Sequence, residues 1–103
     1  LGRYNEASLE AEAAVMVQPE DPLLHYEKAI ALTALKDHEG ALREYNRVIE
    51  LNPRNCRAYY NMAILLDKTE RHEEAKVYYE KFITKSSSRN VEYIAHARAQ
   101  LRY

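Results

Sequence analysis

Two consecutive stretches decide the fold: PLLHYEKAIALTALKDHEGALREYNRVIELNPRN, residues 22–55, and CRAYYNMAILLDKTERHEEAKVYYEKFITKSSSR, residues 56–89. Laid over each other at an offset of 34, Ala29 falls on Ala63, Leu32 on Leu66, His38 on His72, Ala41 on Ala75, Tyr45 on Tyr79 and Ile49 on Ile83, while Asp37 meets Arg71. Self-similarity of this length marks an array of helix pairs, each repeat burying its apolar face against its neighbours. The phase runs upstream as well, since Tyr4, Ala7 and Pro19 lie 34 residues before His38, Ala41 and Pro53. Residues 1–21 therefore read as the second helix of a repeat whose first helix is absent. The chain opens with Leu1, inside a repeat, and is expected to be a piece of a longer protein.

The residues at these registers resemble the tetratricopeptide repeat (TPR) family. Its pattern has a large apolar residue, a Leu-Gly or Leu-Ala-like pair, an aromatic or Leu, then Ala with an aromatic four residues on, then Pro. One copy reads Tyr59, Met62-Ala63, Leu66, Ala75, Tyr79; the other reads His25, Lys28-Ala29, Leu32, Ala41, Tyr45, Pro53. The resemblance covers essentially the whole chain. It implies an all-α fold, a right-handed superhelical array of antiparallel helix pairs. The divisions are 1–21, a truncated repeat; 22–55 and 56–89, two full repeats; and 90–103, a C-terminal capping helix. His25 and Lys28 stand where large apolar residues are usual, which leaves open how tightly that copy's first helix packs. A Lys stem can cover apolar surface while its ammonium reaches water.

Composition agrees with a helical domain and narrows the partners. A chain of 103 residues with 47% apolar and 30% charged residues suits one domain near the lower end of what buries its own core. Fifteen Lys and Arg against sixteen Asp and Glu give a net charge of -1, so no electrostatic footprint asks for nucleic acid or an anionic membrane. No apolar run approaches the roughly 18 residues of a membrane span. The single cysteine, Cys56, excludes an internal disulfide and suits a reducing, cytoplasmic compartment.

Local signals place six helices. Leu9, Ala13, Met16 and Val17 recur at helical spacing in the first, with Tyr4, Ala7, Ala11, Ala14 and Val15 on adjoining rows. So many small and apolar residues imply burial on more than one side, part of it exposed without a partner helix. Asp21 is the expected N-cap before Pro22, and Asn55 the next cap. Helices are expected over about Leu23–Leu35, Glu39–Leu51, Arg57–Lys68 and Glu73–Lys85. Ser86–Asn90 reads as an inter-helix turn. Val91–Arg102 forms a last helix with Ile94, Ala97 and Leu101 on one side, as an array's closing helix requires.

Nothing in the chain assembles a catalytic or metal site. A Gly-rich phosphate loop is impossible with only Gly2 and Gly40. His38 and His72 share one register a repeat apart, too far to share a metal, and read as packing residues in the turn before each second helix. His72-Glu73-Glu74 suggests a general base, but no nucleophile converges on it, and paired carboxylates at a helix start are what the macrodipole favours. No enzyme, cofactor or metal is expected.

The nine tyrosines are the compositional oddity. Tyr45, Tyr78 and Tyr79 read as packing residues. The family resemblance puts Tyr26 and Tyr60 on the inner, concave surface. It implies a partner-binding face of Leu23, Tyr26, Glu27, Ile30 and Thr33, then Arg57, Tyr60, Asn61, Ile64 and Asp67, with Val91, Ile94, Ala95 and Arg98 from the last helix. The function expected is a non-enzymatic scaffold holding a protein or peptide ligand on that face; the alternatives are a self-association module and, more remotely, an RNA-binding helical repeat. A TPR subclass clamps the carboxylate end of heat-shock chaperones. Asn61 matches one clamp position and Arg57 another only in a different repeat frame, but Tyr26 and Ile30 stand where Lys and Asn are needed, so chaperone-tail recognition is not expected.

Overall fold

The computed structural model describes residues 2–86 and 91–101. Among these the chain forms six α-helices and no strand: α1 Gly2–Val17, α2 Pro22–Ala34, α3 His38–Leu51, α4 Cys56–Lys68, α5 His72–Lys85 and α6 Val91–Gln100. Each start lies within a residue of its expected place. The turn reading of Ser87–Asn90, the expected inward side chain of Val91 and the helix end at Arg102 lie outside the described residues.

Each helix boundary has a local cause. The Asp21 carboxylate accepts from the Leu23 N–H at 2.9 Å with Pro22 opening α2, and Asn55 accepts from the Ala58 N–H at 3.2 Å at the head of α4. Both first helices end the same way, with Lys36 at φ 65° and Glu70 at φ 62°, in the left-handed region. The Asp37 N–H donates to Leu32 O at 2.9 Å and Lys36 to Thr33 O at 3.0 Å; Arg71 donates to Leu66 O at 2.8 Å and Glu70 to Asp67 O at 3.1 Å. Each closure turns the chain straight into the antiparallel second helix.

The Asp37 carboxylate caps α3 by accepting from the Gly40 N–H at 3.0 Å. A Cβ at residue 40 would lie 2.5 Å from Asp37 Oδ2, so a side chain there would push the carboxylate from this position. In the next copy both residues change together. Arg71 makes no side-chain cap bond; its guanidinium instead pairs bidentately with Glu74, at 2.9 Å from Nε and 2.9 Å from the second nitrogen. That hydrogen bond holds the Glu74 carboxyl below the usual glutamate range.

The chain divides at the turn after Pro53 into two compact units, residues 1–53 and 54–103. In the first, α2 packs on both α1 and α3; in the second, α5 packs on both α4 and α6. Ala29 and Ala41 in one, and Ala63 and Ala75 in the other, are wholly buried, at 0% exposure. Around them lie Leu42, Tyr45 and Val48, and Tyr59, Met62, Leu65, Leu66, Tyr79 and Phe82 respectively. Among the described side chains of α1 only Ala11 is buried; Leu9, Met16 and Val17 stand 68, 79 and 80% exposed.

His25 does not loosen α2. It is buried, with Nδ1 2.7 Å from Glu44 Oε1 and Nε2 2.8 Å from the Pro19 carbonyl, while Lys28 Nζ lies 3.6 Å from the other Glu44 oxygen. The polar residues are tolerated because a carboxylate on α3 meets them both. Thirty-four residues on, all three are replaced: Tyr59, Met62 and Tyr78 fill the same registers, with the Tyr59 and Tyr78 rings stacked at 6.4 Å. Lys85 and Lys81 lie over those two rings, 5.6 and 5.1 Å from their centres.

Two outcomes follow for urea denaturation. Glu44→Leu leaves His25 Nδ1 and Lys28 without the carboxylate that meets them and lowers stability by about 2–3 kcal/mol, whereas transplanting His25→Tyr, Lys28→Met and Glu44→Tyr together costs under about 1 kcal/mol. Lys36→Gly and Glu70→Gly each raise the unfolding free energy by about 0.5–1 kcal/mol, because glycine adopts φ > 0 without strain.

Candidate functional site

The heptad spacing along α2 sets Leu23, Glu27 and Ile30 on one side of the helix. Leu23 and Ile30 are 60 and 45% exposed, and Glu27 is open to solvent. Tyr26 is half-buried, its ring edge-on to Tyr45 at 5.8 Å, so it braces this face from beneath. Beside Glu27 an open groove of about 450 Å³ is lined by Ala7, Glu10, Ala11 and Ala14 of α1.

In the second unit Arg57 is exposed, with Asn61 and Ile64 half-buried along α4. Tyr60 is differently placed. Its ring lies 4.9 Å from Phe82, 5.2 Å from Tyr93, 5.7 Å from His96 and 6.2 Å from Tyr79, and its hydroxyl is 2.9 Å from His96 Nδ1. Burial, with the Tyr93 phenol beside it, raises its pKa above the ordinary tyrosine value. The structure thus puts α6 on Tyr60. Ile94 is half-buried and Ala97 wholly so, while Arg98 and Ala95 face solvent. The roles of Tyr93 and His96 were not read from the sequence; the signal was their register, 34 residues after Tyr59 and Met62.

Asp67 is a tie between helices. One oxygen lies 2.9 Å from His72 Nδ1, and the other accepts from the Tyr79 hydroxyl at 3.0 Å, fastening the start and middle of α5 to the end of α4. His38 occupies the same register as His72 with its Nδ1 shielded from solvent and no hydrogen-bond partner. Among the described residues no three His, Cys, Asp or Glu side chains converge as a metal site, and no helix is long and apolar enough to cross a membrane.

The near-zero net charge conceals a division. Residues 1–53 hold five Lys and Arg against ten Asp and Glu, net -5, and residues 54–103 hold ten against six, net +4. The exposed charge on the α2 face is accordingly Glu27, and the exposed charges on α4 and α6 include Arg57 and Arg98, with Glu92 also exposed on α6.

Comparison with known proteins agrees with this architecture. Residues 29–69 match a model described as TPR repeat and residues 57–84 one described as tetratricopeptide repeat. The chain belongs to the tetratricopeptide repeat family. A TPR repeat-containing protein of Methanocaldococcus jannaschii is 34% identical over 61 residues, 59% of this chain, and the chain spans only 11% of that relative's length. Among solved structures, the first TPR of Spaghetti (RPAP3) bound to HSP90 peptide SRMEEVD superposes with a TM-score of 0.84 at 26% identity, over 96% of this chain and 78% of that one. The TPR2B domain of yeast Sti1, in a pHsp70 complex, gives 0.86 at 21% identity, over 97 and 81%. The MamA protein gives 0.81 at 24%, over 96 and 56%.

Tyr60→Phe removes the hydroxyl that meets His96. Stability is expected to fall by about 1 kcal/mol, and hydrogen exchange to quicken through residues 91–100 more than in α4 or α5; equal acceleration in all three helices contradicts this coupling.

Proposed function

We propose that the chain is a non-enzymatic interaction module whose first-helix faces hold a segment of a partner protein. The observation that carries this is the α2 face, where Leu23 and Ile30 stand well exposed beside Glu27 on a helix otherwise buried or half-buried. Exposed aliphatic side chains flanking a charge give a partner segment both buried area and orientation. Arg57, Asn61 and Ile64 offer a second stretch of mixed character on α4. Family membership supports the reading, as does the peptide recorded on the Spaghetti domain.

The ligand is not the acidic chaperone tail. Tyr26 and Ile30 supply no cation on α2, and the unit they belong to is itself acidic. The peptide SRMEEVD is therefore expected to give no saturable heat in calorimetry with this chain; saturable binding contradicts this exclusion.

The interaction reading is tested at exposed positions, because Tyr26 and Tyr60 brace the fold. Ile30→Glu with Arg57→Glu retains wild-type helicity and abolishes at least about nine-tenths of specific crosslinks from a photoreactive group at Leu23 to proteins of the native host, a loss of about 1.4 kcal/mol or more. Crosslinks that persist in the variant sink the reading.

A further inference from the structure

We propose that the segment held on the α2 face is a basic amphipathic helix, which sets a Lys or Arg against Glu27 between two aliphatic residues seated on Leu23 and Ile30. This assignment rests on the α2 face being the binding surface and adds the chemistry of what it holds.

Charge decides the sign of the occupant. Besides His25, the ionisable side chains of α2 are Glu27 and Lys28, and they face different ways. Lys28 is half-buried and turned to α3, its Nζ 3.6 Å from Glu44 Oε2. Glu27 is exposed and, among the described residues, meets no Lys or Arg at ion-pair distance. The turn that leads into Leu23 adds Glu20 and Asp21. Asp21 caps α2, and Arg47, 3.5 Å from Glu20, is shared with Glu50 at 3.2 Å. No cation of α2 therefore competes for Glu27, and residues 1–53 carry net -5 around it. A ligand cation is drawn to this face, faster at low salt, and a ligand carboxylate is repelled.

Spacing decides its conformation. Leu23, Glu27 and Ile30 stand at i, i+4 and i+7, so Ile30 lies about 10.5 Å along the helix from Leu23, with the carboxylate about 6 Å along. A second helix repeats those intervals, its cation four residues after the first aliphatic if it runs parallel and three if antiparallel. An extended strand brings a side chain to one face every ~6.6 Å; it meets the first interval and overshoots the second by about 3 Å. Leu23 and Ile30, 60 and 45% exposed, supply apolar area to such a helix, and a Lys or Arg stem lies along them while its head reaches Glu27.

A phage-displayed library of linear random peptides, selected on the 103-residue chain, tests this directly. The wild type is expected to enrich, several-fold over the input, peptides with aliphatic residues seven apart and a Lys or Arg three or four residues after the first. Glu27→Lys and Ile30→Glu change exposed positions, so both variants keep wild-type helicity by circular dichroism. Selection on Glu27→Lys is expected to replace the basic residue with Asp or Glu, and selection on Ile30→Glu to enrich neither pattern. Wild-type enrichment that lacks a basic residue at that place, or that is unchanged on Glu27→Lys, overturns the basic ligand and leaves the α2 face standing as a binding surface. Basic residues without the seven-residue spacing overturn the helix. Enrichment on the wild type no greater than on Ile30→Glu overturns the proposal together with the reading of the face on which it rests.

Discussion

The close meeting of two helices at alanine is the constraint on which each repeat rests. Ala29 with Ala41, and Ala63 with Ala75, are fully buried on the facing helices of their pairs, and helix axes approach to about 8 Å only where side chains are that small. The approach forces everything nearby. It demands turns of three residues, hence the left-handed Lys36 and Glu70, and it brings the large residues at adjoining registers, such as Tyr45 and Tyr79, into one layer with their partner helix. A methyl added at any of these four positions pushes the pair apart rather than locally crowding it.

Given that frame, the two copies solve the same packing problem with different chemistry. His25 and Lys28 meet Glu44 where Tyr59 stacks on Tyr78; Asp37 caps at Gly40 where Arg71 takes Glu74. The residues change in contacting sets because a buried histidine without an acceptor, or a carboxylate against a tyrosine face, is costly. The sets also distinguish the copies: α2 laid on α5 would bury His25 against Tyr78. Repeats this similar need some such difference if each first helix is to find its own second helix during folding.

The binding faces inherit their character from the same arrangement. Because α2 is buried on two sides, what remains outward is the Leu23, Glu27 and Ile30 row. Because α6 lies on Tyr60, that tyrosine serves the fold, and the exposed chemistry of its surroundings passes to Arg57 and Arg98. A chain of nearly neutral total charge thereby presents acidic side chains in one unit and basic ones in the other.

By itself the sequence determined the helix pairs, their register and their boundaries, because a 34-residue self-match, alanines at matched points and caps such as Asp21 and Asn55 are local or periodic signals. It also placed Tyr26 and Ile30 on a common helix with Glu27. Only the tertiary structure decided which residues meet across helices: that Glu44 accommodates His25, that Asp67 binds both His72 and Tyr79, and that His96 reaches Tyr60. The physical reason is that periodicity fixes the side of a helix a residue occupies, whereas a hydrogen bond 19 or 36 residues away in sequence depends on how the helices lie against each other. The folding of residues 1–53 and 54–103 into separate units likewise revealed the charge division that the whole-chain total of -1 hides.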